Sequence, residues 1–368
     1  MASLLRSRRA RWAVPLLAAA ALVGVGPLVQ AVTADAHGSL PPRTAAQLLA
    51  DVSQAKVAAL SGTVVETSDL GLPSLPSFGG HGGGDASFSS MLTGSHTLRV
   101  WYGGSDQQRI ALLGQLGESD LVRSGTDLWA WSSSSNTATH WTVPAGHEAP
   151  ATPSTGASAV TPQQAAAQAV AAITPTTRVT TDPTDRVAGR PAYQLDLVPR
   201  DPRSLVGSVR IAIDGATHVP TRVQVFARGS ATPAFQVGFT SLSTTAPDAS
   251  VFGFTPPPGA TVKQGTLPSS HADHTRMAAG QGHRAPDVVG RGWTRVLVAS
   301  LPADHQAAGA AGGTTTMPRL AGLTPVSGTW GSGHLLRTTL LTAVLTDDGR
   351  VAVGAVPPSL LYRALSTR

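Results

Sequence analysis

The chain has 368 residues, a formal net charge of +6 at pH 7 and no cysteine, which excludes disulfides and zinc sites built on thiolates. Four arginines and Asp35 give the first 36 residues a net charge of +3, so the rest of the chain keeps only +3. There are two lysines and no basic run interleaved with aromatics. Nucleic acid is therefore excluded as a partner, because a surface that follows phosphates needs clustered positive charge.

Residues 1–36 have the pattern of an export signal. Arginines at positions 6–11 precede an apolar run from Trp12 to Val32, and Ala34 and Ala36 supply the small residues of a cleavage site. We expect cleavage after Ala36 and an extracytoplasmic mature protein, in the cell envelope or secreted. An uncleaved membrane anchor is the alternative, because the apolar run is about long enough to span a bilayer.

The first part of the mature chain predicts one helix followed by β-strands. Thr44 can cap a helix that runs to about Leu60, and residues 63–67 then predict a strand. Residues 69–93 are rich in glycine and predict a flexible loop. Short runs separated by Gly and Ser breaks predict a meander with strands at 96–102, 109–113, 119–123, 127–131 and 137–143.

The same pattern is repeated after a second flexible loop at residues 144–161. Pro162 favours the start of a helix that continues through Ile173. Further strands are predicted at 178–187, 192–198, 207–214, 221–227 and 234–242, followed by a closing segment at 252–262. Residues 37–265 are therefore predicted to form one β-rich domain.

The remaining chain predicts a second, smaller domain. Residues 266–290 have no periodicity and are interpreted as a linker. Residues 291–368 predict a small α+β domain, with apolar segments at 293–301 and 326–330, a hairpin that joins 340–345 to 351–356 around Asp347-Asp348-Gly349, and a final helix at 359–365.

Three segments have the motifs of one protein family, in the order of that family. Val251–Val262 (VFGFTPPPGATV) is similar to its terminal strand and turn. Ser119–Trp131 resembles one of its hairpins, and Ala212–Val225 resembles its strand-turn-strand before the last sheet edge. Over about residues 44–265 the chain thus resembles the LolA-like lipoprotein-carrier superfamily, which includes the RseB/MucB regulators of envelope stress, here in an actinobacterial type of sequence.

This resemblance implies a mainly β, α+β fold: an unclosed antiparallel β half-barrel packed on helices, with an apolar cavity between sheet and helices. In carriers of this family the cavity shelters lipoprotein acyl chains. The family's arginine-proline pair is absent from the matching stretch, Val100–Asp106, which puts the carriers' mechanism of lid closure in doubt here. The extra C-terminal domain is a feature of the sigma-factor regulators.

The apolar residues of the meander and of the closing segment are the candidate ligand cavity. They are Leu98, Val100, Trp101, Tyr102, Leu112, Leu128, Trp129, Trp131, Trp141, Phe252 and Phe254. The alternative is ordinary sheet packing, where aromatic residues are favoured in any case. The alternation of residues 98–102 leaves open which face of the sheet points inward.

No pattern of residues predicts catalysis, a metal site or a cofactor. His271, His274 and His283 have a spacing that could bind a metal, but they lie in the linker, where solvated side chains are the simpler interpretation. Asp347 and Asp348 are better interpreted as a turn than as a catalytic pair. Neither the G-x-S-x-G nor the H-E-x-x-H motif occurs.

Three functions follow from these patterns. The first is an extracytoplasmic protein that binds or carries lipid or lipoprotein acyl chains in the half-barrel. The second is a regulator of the RseB/MucB kind that binds a membrane anti-sigma factor. The third, a secreted hydrolase, lacks a candidate nucleophile, so we expect no enzymatic activity.

Overall fold

The structure, a computed structural model, describes residues 40–72, 91, 93–115, 117–143, 175–265, 286–300 and 323–367. Within these ranges the protein is mainly β, with two sheets and two α-helices. The predicted export signal, the loop at 144–161, the helix at 162–173, the histidines at 271–283 and most of the loop at 69–93 lie outside the described residues.

A sheet of twelve strands forms the main body. Its strands are β1 (Leu60–Ser68), β2 (Gly94–Tyr102), β3 (Gln107–Leu113), β4 (Glu118–Ser124), β5 (Asp127–Ser132), β6 (Thr137–Thr142), β7 (Thr177–Val187), β8 (Arg190–Pro199), β9 (Val206–Asp214), β10 (Pro220–Ala227), β11 (Pro233–Ser243) and β12 (Thr261–Gln264). Their spatial order is β12-β6-β5-β4-β3-β2-β1-β11-β10-β9-β8-β7. All neighbours are antiparallel except β12 and β6. The sheet is unclosed, with β12 and β7 at its two edges, as the half-barrel prediction requires.

The register sorts the side chains of this sheet onto two faces, because residues opposite each other across strands share a face. The face that carries Leu98 on β2, Leu112 on β3 and Leu195 on β8 is called the inner face below. Its buried side chains form one hydrophobic cluster that extends from β3 to β8. On the outer face of β7–β11 polar pairs occur instead, such as Arg222–Asp185 at 2.5 Å.

Helix α1 (Ala45–Gln54) packs on the inner face through Leu48, which is fully buried. Thr44 caps the helix as predicted, and its hydroxyl accepts a hydrogen bond from the backbone N–H of Gln47. The predicted end near Leu60 is wrong, because the helix ends at Gln54 and Leu60 already belongs to β1. Strand β1 includes the β-branched residues Val64 and Val65, which favour a strand over a helix.

A second sheet is formed by the C-terminal part of the chain. Its strands are β13 (Asp287–Val289), β14 (Val296–Ser300), β15 (Thr324–Gly328), β16 (Gly331–Arg337), β17 (Thr342–Thr346) and β18 (Arg350–Gly354), in the order β13-β14-β18-β17-β16-β15. Helix α2 (Pro358–Ser366) covers one face of this sheet through Leu361, Ala364 and Leu365. Strand β16 was not predicted, and β13 lies inside the stretch that we interpreted as a linker.

The second sheet is joined to the main sheet by direct contacts. Leu340 is 7% exposed and belongs to the hydrophobic cluster of the main sheet. The backbone N–H of Thr339 donates to the carbonyl of Leu70 at 2.7 Å. Trp293 Nε1 donates to Thr177 Oγ1 at 2.8 Å. The C-terminal part therefore shares its packing with the main body.

Candidate functional site

The inner face of the main sheet is apolar over most of its width. Rows of opposed residues cross it strand by strand, and one row runs Val100, Ile110, Leu121, Ala130 on β2 to β5. On the other half, Leu195, Ile211, Val223 and Val237 form an equivalent row across β8 to β11. Val100, Ile110 and the second row belong to one hydrophobic cluster, which extends from β3 through β2, β1 and β11 to β8 in a sheet whose described edge strands are β12 and β7. Such a surface can hold an elongated apolar guest.

The eleven residues of the candidate cavity do not share one face. Six of them lie on the inner face: Leu98, Val100, Tyr102, Leu112, Leu128 and Trp141. The three tryptophans Trp101, Trp129 and Trp131 point to the outer face. Phe252 and Phe254 pack against that outer face. The two groups cannot line a single cavity, since a sheet separates them.

The outer-face aromatics form a cluster of their own with the segment that follows β11. The ring of Phe254 lies 5.4 Å from that of Trp129 and 6.3 Å from that of Trp131. Trp129 stacks on His140 at 4.3 Å. Phe252 is 1% exposed. These contacts are the ordinary sheet packing that was the alternative interpretation of the aromatic residues.

An ion pair fixes the closing segment to the same outer face. Arg109 donates from Nε and Nη2 to the carboxylate of Asp120 at 3.2 and 3.1 Å, and from Nη1 to the carbonyl of Val251 at 3.3 Å. Its guanidinium also lies 5.5 Å from the ring centre of Trp101. Arg109 therefore has a structural role, and its contacts hold residues 249–254 against the meander.

Sequence patterns missed an ionisable pair on the inner face, formed by Glu66 on β1 and His96 on β2. The two residues are opposite each other, and His96 Nδ1 lies 3.0 Å from Glu66 Oε2. Glu66 is only 1% exposed. Burial raises the pKa of Glu66, although the hydrogen bond and charge of His96 act against that rise. The signal in the sequence is Glu66 itself, two residues after Val64 on a predicted strand.

Asp214, another buried carboxylate, has structural partners. Asp214 is 1% exposed and accepts from Arg190 Nε and Nη2 at 2.6 and 3.0 Å and from the backbone N–H of Thr217 at 2.8 Å. Burial would raise the pKa of Asp214, but these hydrogen bonds outweigh it and hold the pKa below its ordinary value. The Asp347-Asp348-Gly349 turn joins β17 to β18 as predicted, with Gly349 at φ 81°.

Across the ranges that the structure covers, no group of three or more His, Asp or Glu side chains is arranged to hold a metal ion. No helix in those same ranges is both long enough and apolar enough to cross a membrane.

Comparisons with known proteins give similar folds at low sequence identity. No protein-family model matches the chain, and no curated protein matches its sequence. A Pseudomonas aeruginosa MucA/MucB complex is 16% identical with a TM-score of 0.42, covering 86% of this chain and 95% of that one. A structure of MucB in complex with MucA(peri) is 17% identical with a TM-score of 0.42, covering 87% and 97%.

A LolA superfamily protein of Nitrosomonas europaea is 9% identical with a TM-score of 0.22, and the match covers 58% of this chain and 99% of that one. These structures come from the two protein groups that the sequence resemblance named. With TM-scores below 0.5, the likeness assigns neither an activity nor a partner. The chain is thus similar to LolA-like and MucB proteins, and its function has to be inferred from its own inner face.

Proposed function

We propose that this protein is an extracytoplasmic binding or carrier protein that shelters acyl chains of lipids or lipoproteins against the inner face of the main sheet. The observation that carries the proposal is the apolar inner face of a sheet that, among the described strands, is open at β12 and β7. A closed core would leave no entry for a guest, whereas an open sheet can admit one along an edge.

The energetics are sufficient for useful affinity. Each methylene group removed from water contributes about 0.8 kcal/mol, so a chain of about ten methylenes gains about 8 kcal/mol. That gross gain matches a dissociation constant near the micromolar range, before the cost of ordering the ligand is subtracted. Burial of an acyl chain against the inner face is thus a favourable contribution of the size that a specific ligand needs.

Native mass spectrometry of the purified protein, followed by solvent extraction, tests this proposal. We expect lipid in stoichiometric amounts, or its uptake on incubation with acylated peptides. A protein that stays empty after that incubation would refute acyl-chain binding.

Two tryptophans provide a matched pair for locating the binding surface. Trp141 lies on the inner face and Trp129 on the outer face, and both belong to neighbouring strands. We expect Trp141→Ala to weaken displacement of a fluorescent fatty acid, because it removes apolar surface from the site. Trp129→Ala should leave that displacement unchanged. An effect of Trp129→Ala alone would place the ligand on the other face.

A second candidate is a regulator of the RseB/MucB kind that binds an anti-sigma factor in the membrane. It is favoured by the C-terminal sheet, whose face opposite α2 exposes Val288 (54%) and the adjacent Leu297 (46%). Cross-linking in envelope preparations, with the captured protein identified by mass spectrometry, tests this function. Capture of an anti-sigma factor by the natural chain, and not by Leu297→Glu, would support it. Capture that is equal in both would reject this surface as the contact.

A further inference from the structure

Glu66 has one carboxylate oxygen for which the described residues supply no hydrogen-bond donor. Oε2 is 3.0 Å from His96 Nδ1, but no donor among the described residues lies within hydrogen-bonding distance of the buried Oε1. Buried polar atoms in folded proteins almost always have a partner. A buried acceptor without a hydrogen-bond partner lowers the stability of the folded protein. The presence of a carboxylate at position 66 therefore requires a reason other than stability.

The position of Glu66 in the sheet does not require a glutamate. On the same face of β1 it follows Val64, and across the strands it faces Val237 on β11 and His96 on β2. Val64 and Val237 are 2% and 0% exposed. A valine or leucine at position 66 would extend this apolar surface and remove the unsatisfied oxygen, so folding alone gives no reason for the carboxylate.

The contact with His96 determines what Oε1 can do. The Oε2–Nδ1 hydrogen bond needs one proton between its two atoms, and that proton can reside on either of them. When the carboxyl group and Nδ1 hold only this one proton between them, Oε1 carries none and is an acceptor. Burial also raises the pKa of Glu66, which favours a partner that brings no further charge into the apolar surroundings.

We propose that Glu66 Oε1 accepts a hydrogen bond from the polar end of the bound ligand, and that the ligand therefore carries a neutral N–H or O–H group next to its apolar chain. This inference rests on the proposed binding of acyl chains. Since Glu66 is 1% exposed, the donor reaches Oε1 only when the side chains above it move aside. Amide-linked and hydroxyl-bearing amphiphiles satisfy this requirement, whereas fully substituted amides and simple esters do not.

The test compares two ligands with the same acyl chain and carbonyl, one with an N–H donor and one with two N-methyl groups in its place. Dodecanamide carries an N–H group, and N,N-dimethyldodecanamide has the same chain and carbonyl without one. Each displaces a dansyl-labelled fatty acid from the purified protein. We expect dodecanamide to bind about 5- to 100-fold more tightly, the range expected when a buried acceptor gains or lacks its partner. Equal displacement by the two amides would overturn the inference.

Substitutions at position 66 locate the preference. Glu66→Leu and Glu66→Met remove the acceptor, and in each the ratio of the two affinities should fall close to one while binding of the chain persists. Glu118→Gln, a change on the outer face of β4, should keep the ratio of the natural protein. A ratio that survives both changes at position 66 would overturn the role of Glu66.

The same measurement separates this inference from the proposed function. If neither the labelled fatty acid nor either amide binds, acyl-chain binding fails and the inference fails with it. If all of them bind without preference, acyl-chain binding stands and only the role of Glu66 is refuted.

Discussion

Leu340 offers a direct test of how the C-terminal part is attached to the main sheet. It belongs by sequence to the second unit, but it is 7% exposed within the hydrophobic cluster of the main sheet. Leu→Ala changes in cores lower the free energy of unfolding by about 2–5 kcal/mol. We expect Leu340→Ala to lower the free energy of unfolding by an amount in this range. The substitution would leave a cavity between two packed units that cannot easily close it.

The neighbouring residue supplies the control. Leu341 is 44% exposed, so Leu341→Ala should change stability by less than about 0.5 kcal/mol. Urea denaturation followed by tryptophan fluorescence compares the two variants with the natural protein. The main sheet should unfold at lower urea concentration in Leu340→Ala. If both variants unfold with the natural protein, Leu340 does not contribute to the core of the main sheet and the described junction is wrong.

Three further changes test the packing. Phe252→Ala should cost about 3–5 kcal/mol in urea denaturation without altering fatty-acid displacement, since Phe252 packs on the outer face; altered displacement would contradict that placement. Asp214→Asn should cost about 1.5–3 kcal/mol at neutral pH. Because the folded pKa of Asp214 is lowered, its contribution is complete above the ordinary aspartate pKa and is lost as pH falls through the folded pKa, so the difference from the natural protein should shrink below about pH 4. A constant difference from pH 7 to pH 2 would argue against the Arg190 contact. Gly62→Ala should lower the thermal midpoint, since a Cβ there would lie 2.2 Å from the Ser241 carbonyl oxygen; an unchanged midpoint would contradict this close approach.

Much of the main sheet could be predicted from the sequence. From β2 to β11 the predicted strand ends lie within two residues of the observed ends, because glycine and serine breaks separate alternating apolar runs. Strand β1 begins three residues before its predicted start. The helix at Thr44 was found by its cap, but its end was not, since Val57, Ala58 and Ala59 continue an apolar pattern that does not distinguish helix from strand.

The faces of the sheet could not be predicted. Trp101 lies between Val100 and Tyr102, and either face would have accepted the aromatic ring. Which face the Trp101 side chain lies on depends on what packs against each face of the sheet. The residues that pack against the outer face are Phe252 and Phe254, about 150 residues away along the chain. Likewise, Leu340 gives no local signal that it packs in another unit. Long-range contacts of this kind produce no periodic pattern in the local sequence, so they cannot be predicted from it.

The position of β1 in the sheet has a consequence for the order of folding. Strand β1 pairs on one side with β2, the next strand along the chain, and on the other side with β11. In the pairing with β11, the backbone N–H of Thr63 donates a hydrogen bond to the hydroxyl of Ser241, 178 residues away. The first meander can form as soon as it emerges, but its β1 edge stays unpaired until the second meander is complete. Such long-range pairing is slow, and an open strand edge invites pairing with other chains. The β1 edge therefore has to stay free of other chains until β11 has formed.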